Sequence, residues 1–196
     1  MRTRIAPIVR GQDVRLLAAS AATGVGVAMV VALFDALTVE VVYEWLLDQE
    51  LSIQAAAPFL GAVGAVLILR SVGFNASAST SDEYVRAFHE RNPSIPLREV
   101  PGKLAAGITT IGLGGAVGLE GPSIYAGSAF GLSVNSRLGR WIQRDEAKVL
   151  MTAGAAAGVA AVFKAPATGV MFAMEAPYRE DCLLYTSDAA DEGHGV

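Results

Sequence analysis

Residues 112–131 read GLGGAVGLEGPSIYAGSAFG, a glycine-rich apolar stretch that contains one charged residue, Glu120. A carboxylate inside an apolar membrane segment costs about 2.5–3.5 kcal/mol on insertion scales, and such residues usually serve a function. Pro122 follows two positions later, and proline suits the first turn of a helix because no N–H donor is needed there. The stretch therefore predicts that one helix ends and another begins near Glu120.

The composition indicates a membrane protein. Of the 196 residues, 53% are hydrophobic and 17% are charged, whereas soluble domains average about 45–50% and about 25%. The 21 glycines allow helices to pack closely in lipid. The formal net charge of −4 and the absence of a basic stripe with interleaved aromatic residues argue against a nucleic-acid partner.

Long apolar runs predict several membrane segments and their orientation. The first run, 16–39, follows a segment, 1–15, that carries four arginines, and a second run covers 55–69. The charged residues of the connection between these runs are all acidic, whereas basic residues follow the second run over 70–103. Since basic loops stay on the cytoplasmic side, the sequence predicts that the N-terminus and the 70–103 segment are cytoplasmic.

Shorter helices and breaks are predicted in the rest of the chain. DEYVRAFHE, at 82–90, carries its acids early and follows a Ser/Thr/Asn cluster, which favours a short helix. Further apolar segments cover 104–119, 123–138, 149–163 and 167–174, with a break at Lys164-Ala165-Pro166. Several of these are shorter than the roughly 20 residues that a spanning helix needs. Short, interrupted helices are typical of transporters whose helix ends meet at a midplane binding site.

Two predicted helix starts have the chemistry of an anion site. A helix start offers several free N–H groups and about half a positive charge. One start is at Glu120-Gly121-Pro122, and the other lies over 79–83, where a hydroxyl adds a donor. A carboxylate at such a start can occupy the place of the anion, so Glu120 is predicted to be a gate. The alternative is that Glu120 only caps its helix.

The sequence offers little support for an enzyme. It contains neither GxxxxGK[ST] nor a complete GxGxxG, and no nucleophile elbow accompanies its histidines. Before residue 182, His89 is the only histidine and cysteine is absent, so no metal site and no cofactor are predicted. An enzyme that uses Glu120 as acid or base is disfavoured by the membrane-like composition.

Two linked motifs resemble the CLC family of chloride channels and chloride/proton antiporters. Gly118-Leu119-Glu120-Gly121-Pro122 is similar to the family's G-x-E-G-P, and AGAAAGVAAVFKAPATGVMFAMEAP, 153–177, is similar to the block that follows it. The similarity runs over about 16–181, the N-terminal half of the family. It implies an all-α membrane protein with broken and tilted transmembrane helices, the first half of an inverted-repeat CLC fold.

The resemblance also assigns roles to residues. Glu120 corresponds to the gating glutamate, and Gly121, Pro122 and Ser123 to the helix start that faces the anion. The family's serine that contacts chloride is best matched by Ser79, with Ser81 second.

One departure from the family pattern concerns the proton path. Antiporters of the family carry a second, internal glutamate in an E-E pair, and here the pair reads Glu175-Ala176. We therefore expect a voltage- or pH-gated chloride channel or an uncoupled transporter, with a chloride/proton antiporter as the alternative.

The resemblance places this chain in a larger assembly. It implies a homodimer in a bacterial inner membrane, a chloride ion as the transported species, and a second repeat beyond residue 181. Residues 182–192, CLLYTSDAADE, resemble the translation of an adapter used in DNA sequencing libraries, so 182–196 are expected to be non-native. The 196 residues alone are then expected to be an inactive, non-transporting membrane fragment.

Overall fold

The computed structural model describes residues 11–138 and 146–178, and every regular element within these ranges is helical. No strand occurs in the described ranges, which confirms the all-α prediction. The first ten residues and the predicted non-native tail lie outside them. The α-helices are α1 (Gly11–Asp35), α2 (Glu44–Leu47), α3 (Leu51–Ser71), α4 (Ser81–His89), α5 (Val100–Gly112), α6 (Glu120–Arg137), α7 (Ala147–Phe163) and α8 (Pro166–Glu175).

Two long helical segments are suited to a bilayer. A π-helical turn, Ala36–Tyr43, joins α1 to α2, so that an apolar helical segment of 34 residues runs over Val14–Leu47. The second segment is α3, with 21 residues. In the most apolar part of each segment, only 22% of the first and 17% of the second is buried inside the molecule. The core helix of a soluble protein buries most of its residues. The predicted apolar runs 16–39 and 55–69 lie within these segments.

The centre of the molecule is the contact between α6 and α7. Glycines on both helices bring the backbones together, as small residues do between membrane helices. A Cβ atom added to Gly127 would lie 2.7 Å from the carbonyl carbon of Gly154, and one added to Gly131 would lie 2.7 Å from the carbonyl carbon of Leu150. Buried side chains of α4, α6 and α7 surround this contact, among them Tyr84, Tyr125, Met151 and Ala155.

The predicted helix breaks are present, with one correction to their positions. Helix α6 begins at Glu120, where a helix start is predicted, and Pro122 lies in its first turn, where N–H groups have no partner within the helix. Helix α5 ends at Gly112, before the apolar run 104–119 is complete, and Gly114 (φ 84°) turns the chain there.

The break between α7 and α8 lies where the sequence predicts it. Lys164 adopts a left-handed conformation (φ 52°) directly after α7, and Pro166 is the first residue of α8. Proline at this position begins a helix readily because its φ angle is already helical.

The close contact at Gly127 can be tested by a single methyl group. We expect Gly127→Ala to lower the free energy of unfolding by about 1–3 kcal/mol, the usual cost of overpacking. The matched control is Gly24→Ala, where the added Cβ would meet Ala157 Cβ at an ordinary 3.9 Å. Both changes gain helix propensity, so the difference between their melting temperatures in detergent isolates the packing effect. Equal melting temperatures would contradict this account.

Candidate functional site

The starts of α4 and α6 open on the same cavity. It has a volume of about 470 Å³ and is lined from the α4 side by Thr80 and Ser81. From the other side it is lined by the first three residues of α6, Glu120, Gly121 and Pro122. The starts are separated by about 40 positions along the chain, and the fold brings them together. Two helix N-termini that face one space favour a negatively charged occupant.

Glu120 is folded back over the backbone of Gly118. A Cβ atom added to Gly118 would lie 2.8 Å from Glu120 Cδ and would collide with a carboxylate oxygen. Any side chain at position 118 would therefore displace the carboxylate from its place at the cavity. This arrangement holds a negative charge at the positive end of α6, where the helix dipole stabilises it.

Gly121 leaves room for the hydroxyl group of Thr80. A Cβ atom added to Gly121 would collide with Thr80 Oγ1, and Ser81 Oγ lies 3.8 Å from the same point. The loop before α4 is thus packed directly on the first turn of α6. Glycine at position 121 is a steric requirement of this contact.

The predicted anion ligands divide into two groups. Ser81, Gly121 and Pro122 line the cavity with Glu120. Ser79 and Ser123 are not among its lining residues: the Ser79 hydroxyl donates to Asp82 Oδ2 (3.2 Å), and the buried Ser123 hydroxyl donates to the carbonyl oxygen of Leu119 (2.7 Å). The anion-binding roles of all these residues stay predictions.

Ala176 lies apart from the cavity lining. It begins a 3₁₀ turn, Ala176–Tyr178, directly after α8. This turn packs near α4, where Tyr178 contacts the ring of Phe88 at a centroid distance of 5.6 Å. The predicted loss of a proton carrier at position 176 stays a prediction.

Lys103 is a site residue that sequence reasoning missed. Its side chain is 2% exposed and lines the cavity, and its Nζ atom donates to Glu83 Oε1 at 3.0 Å and to the carbonyl oxygen of Ser79. The same atom lies 4.0 Å from the centroid of the Tyr125 ring. The sequence offers one signal for this residue, its position directly before the apolar run 104–119. The positive-inside rule assigns a lysine at this position to a cytoplasmic loop and does not indicate that it is buried.

The lysine anchors the loop that carries the hydroxyl groups. Ser77 donates to the same Glu83 oxygen (2.8 Å), and the Ser79 N–H donates to Ser77 Oγ (3.0 Å). These bonds tie the loop before α4 to α5 and hold it over α6. In the part of the chain that the structure describes, no group of His, Cys, Asp and Glu side chains could hold a metal ion. The hydroxyl groups and the two helix starts at the cavity are donors that suit a small anion.

Comparison with known proteins identifies the family. A model of the family described as "Voltage gated chloride channel" matches residues 60–185. The chain belongs to this family. The match includes α4 to α8 and both motifs that resemble the CLC family, so the predicted membership is confirmed.

Curated relatives of the voltage gated chloride channel family are similar to part of this chain. The H(+)/Cl(-) exchange transporter ClcA of Vibrio cholerae (strain O395) is 35% identical over 117 residues, which are 60% of this chain and 25% of the relative. ClcA of Citrobacter koseri is 34% identical over 116 residues, which are 59% of this chain and 24% of the relative. The chain thus spans about a quarter of the length of these relatives.

A solved structure shows the same fold. The crystal structure of a slow cyanobacterial Cl⁻/H⁺ antiporter aligns with a TM-score of 0.69 and 21% sequence identity. The alignment covers 90% of this chain and 43% of that chain. The all-α arrangement of broken helices is therefore shared with that protein.

The buried ion pair can be tested through stability. We expect Lys103→Met to lower the free energy of unfolding by about 3–5 kcal/mol, because it leaves the half-buried Glu83 carboxylate without its partner. The control is Lys164→Met, since that lysine is 82% exposed and lies 4.0 Å from Asp35. An exposed pair is worth about 0–1 kcal/mol. Melting in detergent measures both variants, and equal losses would contradict the anchoring role of Lys103.

Proposed function

We propose that this chain is the N-terminal part of a membrane transporter that exchanges chloride for protons, with Glu120 as its gate. The observation that carries the proposal is the convergence of the α4 and α6 starts on one cavity, with Glu120 at the first position of α6. Membership of the voltage gated chloride channel family supports chloride as the anion.

Antiport is better supported than the channel that the sequence led us to expect. Both relatives named above are H(+)/Cl(-) exchange transporters, and the aligned structure is that of a Cl⁻/H⁺ antiporter. The expectation of a channel rests on Ala176 alone and is not confirmed. If the protein is an antiporter, its proton path does not use a carboxylate at position 176.

The geometry suggests how one residue can serve both ions. The Glu120 carboxylate and a chloride ion would compete for the same donors at the start of α6, because both are anions attracted by the same N–H groups. Protonation removes the charge of the carboxylate, so that it no longer competes with chloride for those donors. Chloride then enters as the protonated side chain moves away, and release of the proton reverses the exchange.

A second candidate function concerns the 196 residues by themselves. The chain spans about a quarter of its curated relatives. A transporter needs partners in lipid for the backbone groups that line its pathway, at helix ends such as the starts of α4 and α6. We therefore propose that transport requires the longer gene product, as a homodimer, and that the fragment alone is a non-transporting membrane segment.

The proposed orientation follows from charge. Arginines precede α1 and basic residues follow α3, so we propose that both flanks face the cytoplasm. The relatives named above are bacterial, and we propose a bacterial inner membrane for this protein. The two long apolar helical segments support insertion in a bilayer.

Antiport is tested by following both ions. We expect the purified full-length gene product, reconstituted in liposomes, to pump protons against their gradient when a chloride gradient is imposed. A chloride electrode and a pH electrode record the two movements together, and empty liposomes give the background. Chloride movement without protons would contradict antiport and restore the channel interpretation, and absence of both would contradict the proposed function.

The gate is tested by removing its ionisable group. We expect Glu120→Gln to abolish proton movement and the pH dependence of chloride flux while chloride still passes, because the amide cannot bind or release a proton in this range. The matched control is Glu50→Gln, an exposed acid before α3 that is expected to behave as the wild type. Unchanged proton movement in Glu120→Gln would rule out this residue as the gate.

A further inference from the structure

The turn after α3 holds a phenylalanine in a rare backbone conformation. Phe74 and Asn75 have φ angles of 56° and 58°. Asparagine adopts left-handed backbone readily, whereas a bulky residue such as phenylalanine seldom does. The N–H of Asn75 closes the turn by donating to the carbonyl oxygen of Leu69 (3.0 Å). Gly102 of α5 packs on this turn so closely that a Cβ added to it would lie 2.8 Å from the backbone nitrogen of Gly73.

This conformation leaves the Phe74 ring on the surface at the end of a membrane helix. The side chain is 62% exposed. It follows by three positions the last residue of α3, Ser71, and α3 is long and apolar enough to cross a bilayer. A ring at this depth can enter the boundary between lipid headgroups and acyl chains. Its exposure is therefore suited to contact with lipid.

Two arginines lie at the same corner between α3 and α5. Arg70 is in the last turn of α3, and Arg98 is in the 3₁₀ turn Leu97–Glu99 directly before α5. The guanidinium carbon of Arg98 lies 5.7 Å from the centroid of the Phe74 ring. Both arginines are exposed, and among the described residues neither forms an ion pair with an acid. Two positive charges at this corner thus remain available to an anion outside the protein.

We propose that Arg70, Phe74 and Arg98 form a binding site for the headgroup of an anionic phospholipid in the cytoplasmic leaflet. Guanidinium groups match the oxygens of a phosphate with paired hydrogen bonds. The proposed orientation places the end of α3 at the cytoplasmic surface, where anionic lipids attract basic residues. A soluble phosphate would gain nothing from the exposed ring, so charge and apolar surface together favour a lipid as the occupant.

The proposed site adjoins the anchor of the loop before α4. Gly102, which packs on the turn, directly precedes Lys103, and Lys103 donates to Glu83 and to the carbonyl oxygen of Ser79. A lipid bound at the corner between α3 and α5 would therefore steady the backbone that carries this anchor. The inference does not depend on which ion the protein transports.

The test measures phospholipid binding by the purified, delipidated full-length gene product, by native mass spectrometry in detergent. Phosphatidylglycerol and phosphatidylcholine of equal chain length are the two probes, and we expect phosphatidylglycerol to bind several-fold more tightly. We expect Arg70→Gln and Arg98→Gln each to weaken phosphatidylglycerol binding by about fivefold, the effect of one arginine near an anionic surface. Binding of phosphatidylcholine is expected to stay unchanged in both. We expect Phe74→Ala to weaken binding of both lipids.

The matched control is Arg86→Gln, which removes the same charge from an exposed position on α4. Equal weakening in this control would indicate general electrostatic attraction and overturn the inference, as would equal affinity of the wild type for the two lipids. Inorganic phosphate that displaces phosphatidylglycerol at equal concentration would assign the arginines to a soluble anion and overturn the lipid as occupant. If Arg98→Gln does not fold, as judged by gel filtration, Arg70→Gln at the exposed helix end decides the question.

Discussion

The structure depends on three glycines at which another group lies directly against the backbone. A side chain at any of these positions would occupy the space that this group fills. At Gly118 the free space holds the Glu120 carboxylate, at Gly121 it holds the Thr80 hydroxyl, and at Gly127 it holds the backbone of Gly154. The first two contacts lie in the lining of the cavity, and the third packs α6 on α7. One glycine-rich stretch thus builds both the site and the helix contact that supports it.

A buried charge completes this arrangement. Lys103 is held between Glu83, the Ser79 carbonyl group and the face of the Tyr125 ring. A buried ion pair stabilises a protein less than its short distance suggests, because both ions lose their hydration. Its contribution here is geometric: it holds the loop before α4 in one position, so that hydroxyl groups and a helix start face α6 without further rearrangement. Such preorganisation lowers the cost of binding an ion.

The site combines strong attraction for anions with a resident carboxylate. Two helix starts favour negative charge in the cavity, whereas the positive charge of Lys103 is paired with Glu83, and the Glu120 carboxylate already supplies one negative charge there. Under the proposed antiport, the Glu120 carboxylate and a chloride ion would compete for one set of N–H donors at the start of α6, and this competition would link proton binding to anion binding.

The sequence alone determined the class of the protein, because class follows from local properties. Composition and apolar runs indicated a membrane protein, and the GLEGP and 153–177 motifs indicated the family and the helix break at Glu120. The end of α5 was misplaced, because the apolar run 104–119 continues past Gly112 and hydrophobicity alone does not show where the chain turns. Only the tertiary structure showed which residues of the site contact each other, because they belong to segments that are far apart in the sequence. Lys103 meets Glu83 across 20 positions, and Thr80 meets Gly121 across a longer interval. A non-helical loop has no periodic pattern from which the direction of a hydroxyl group can be predicted. Only the packing of α4, α5 and α6 shows that Ser79 lies away from the cavity lining and that Thr80 belongs to it.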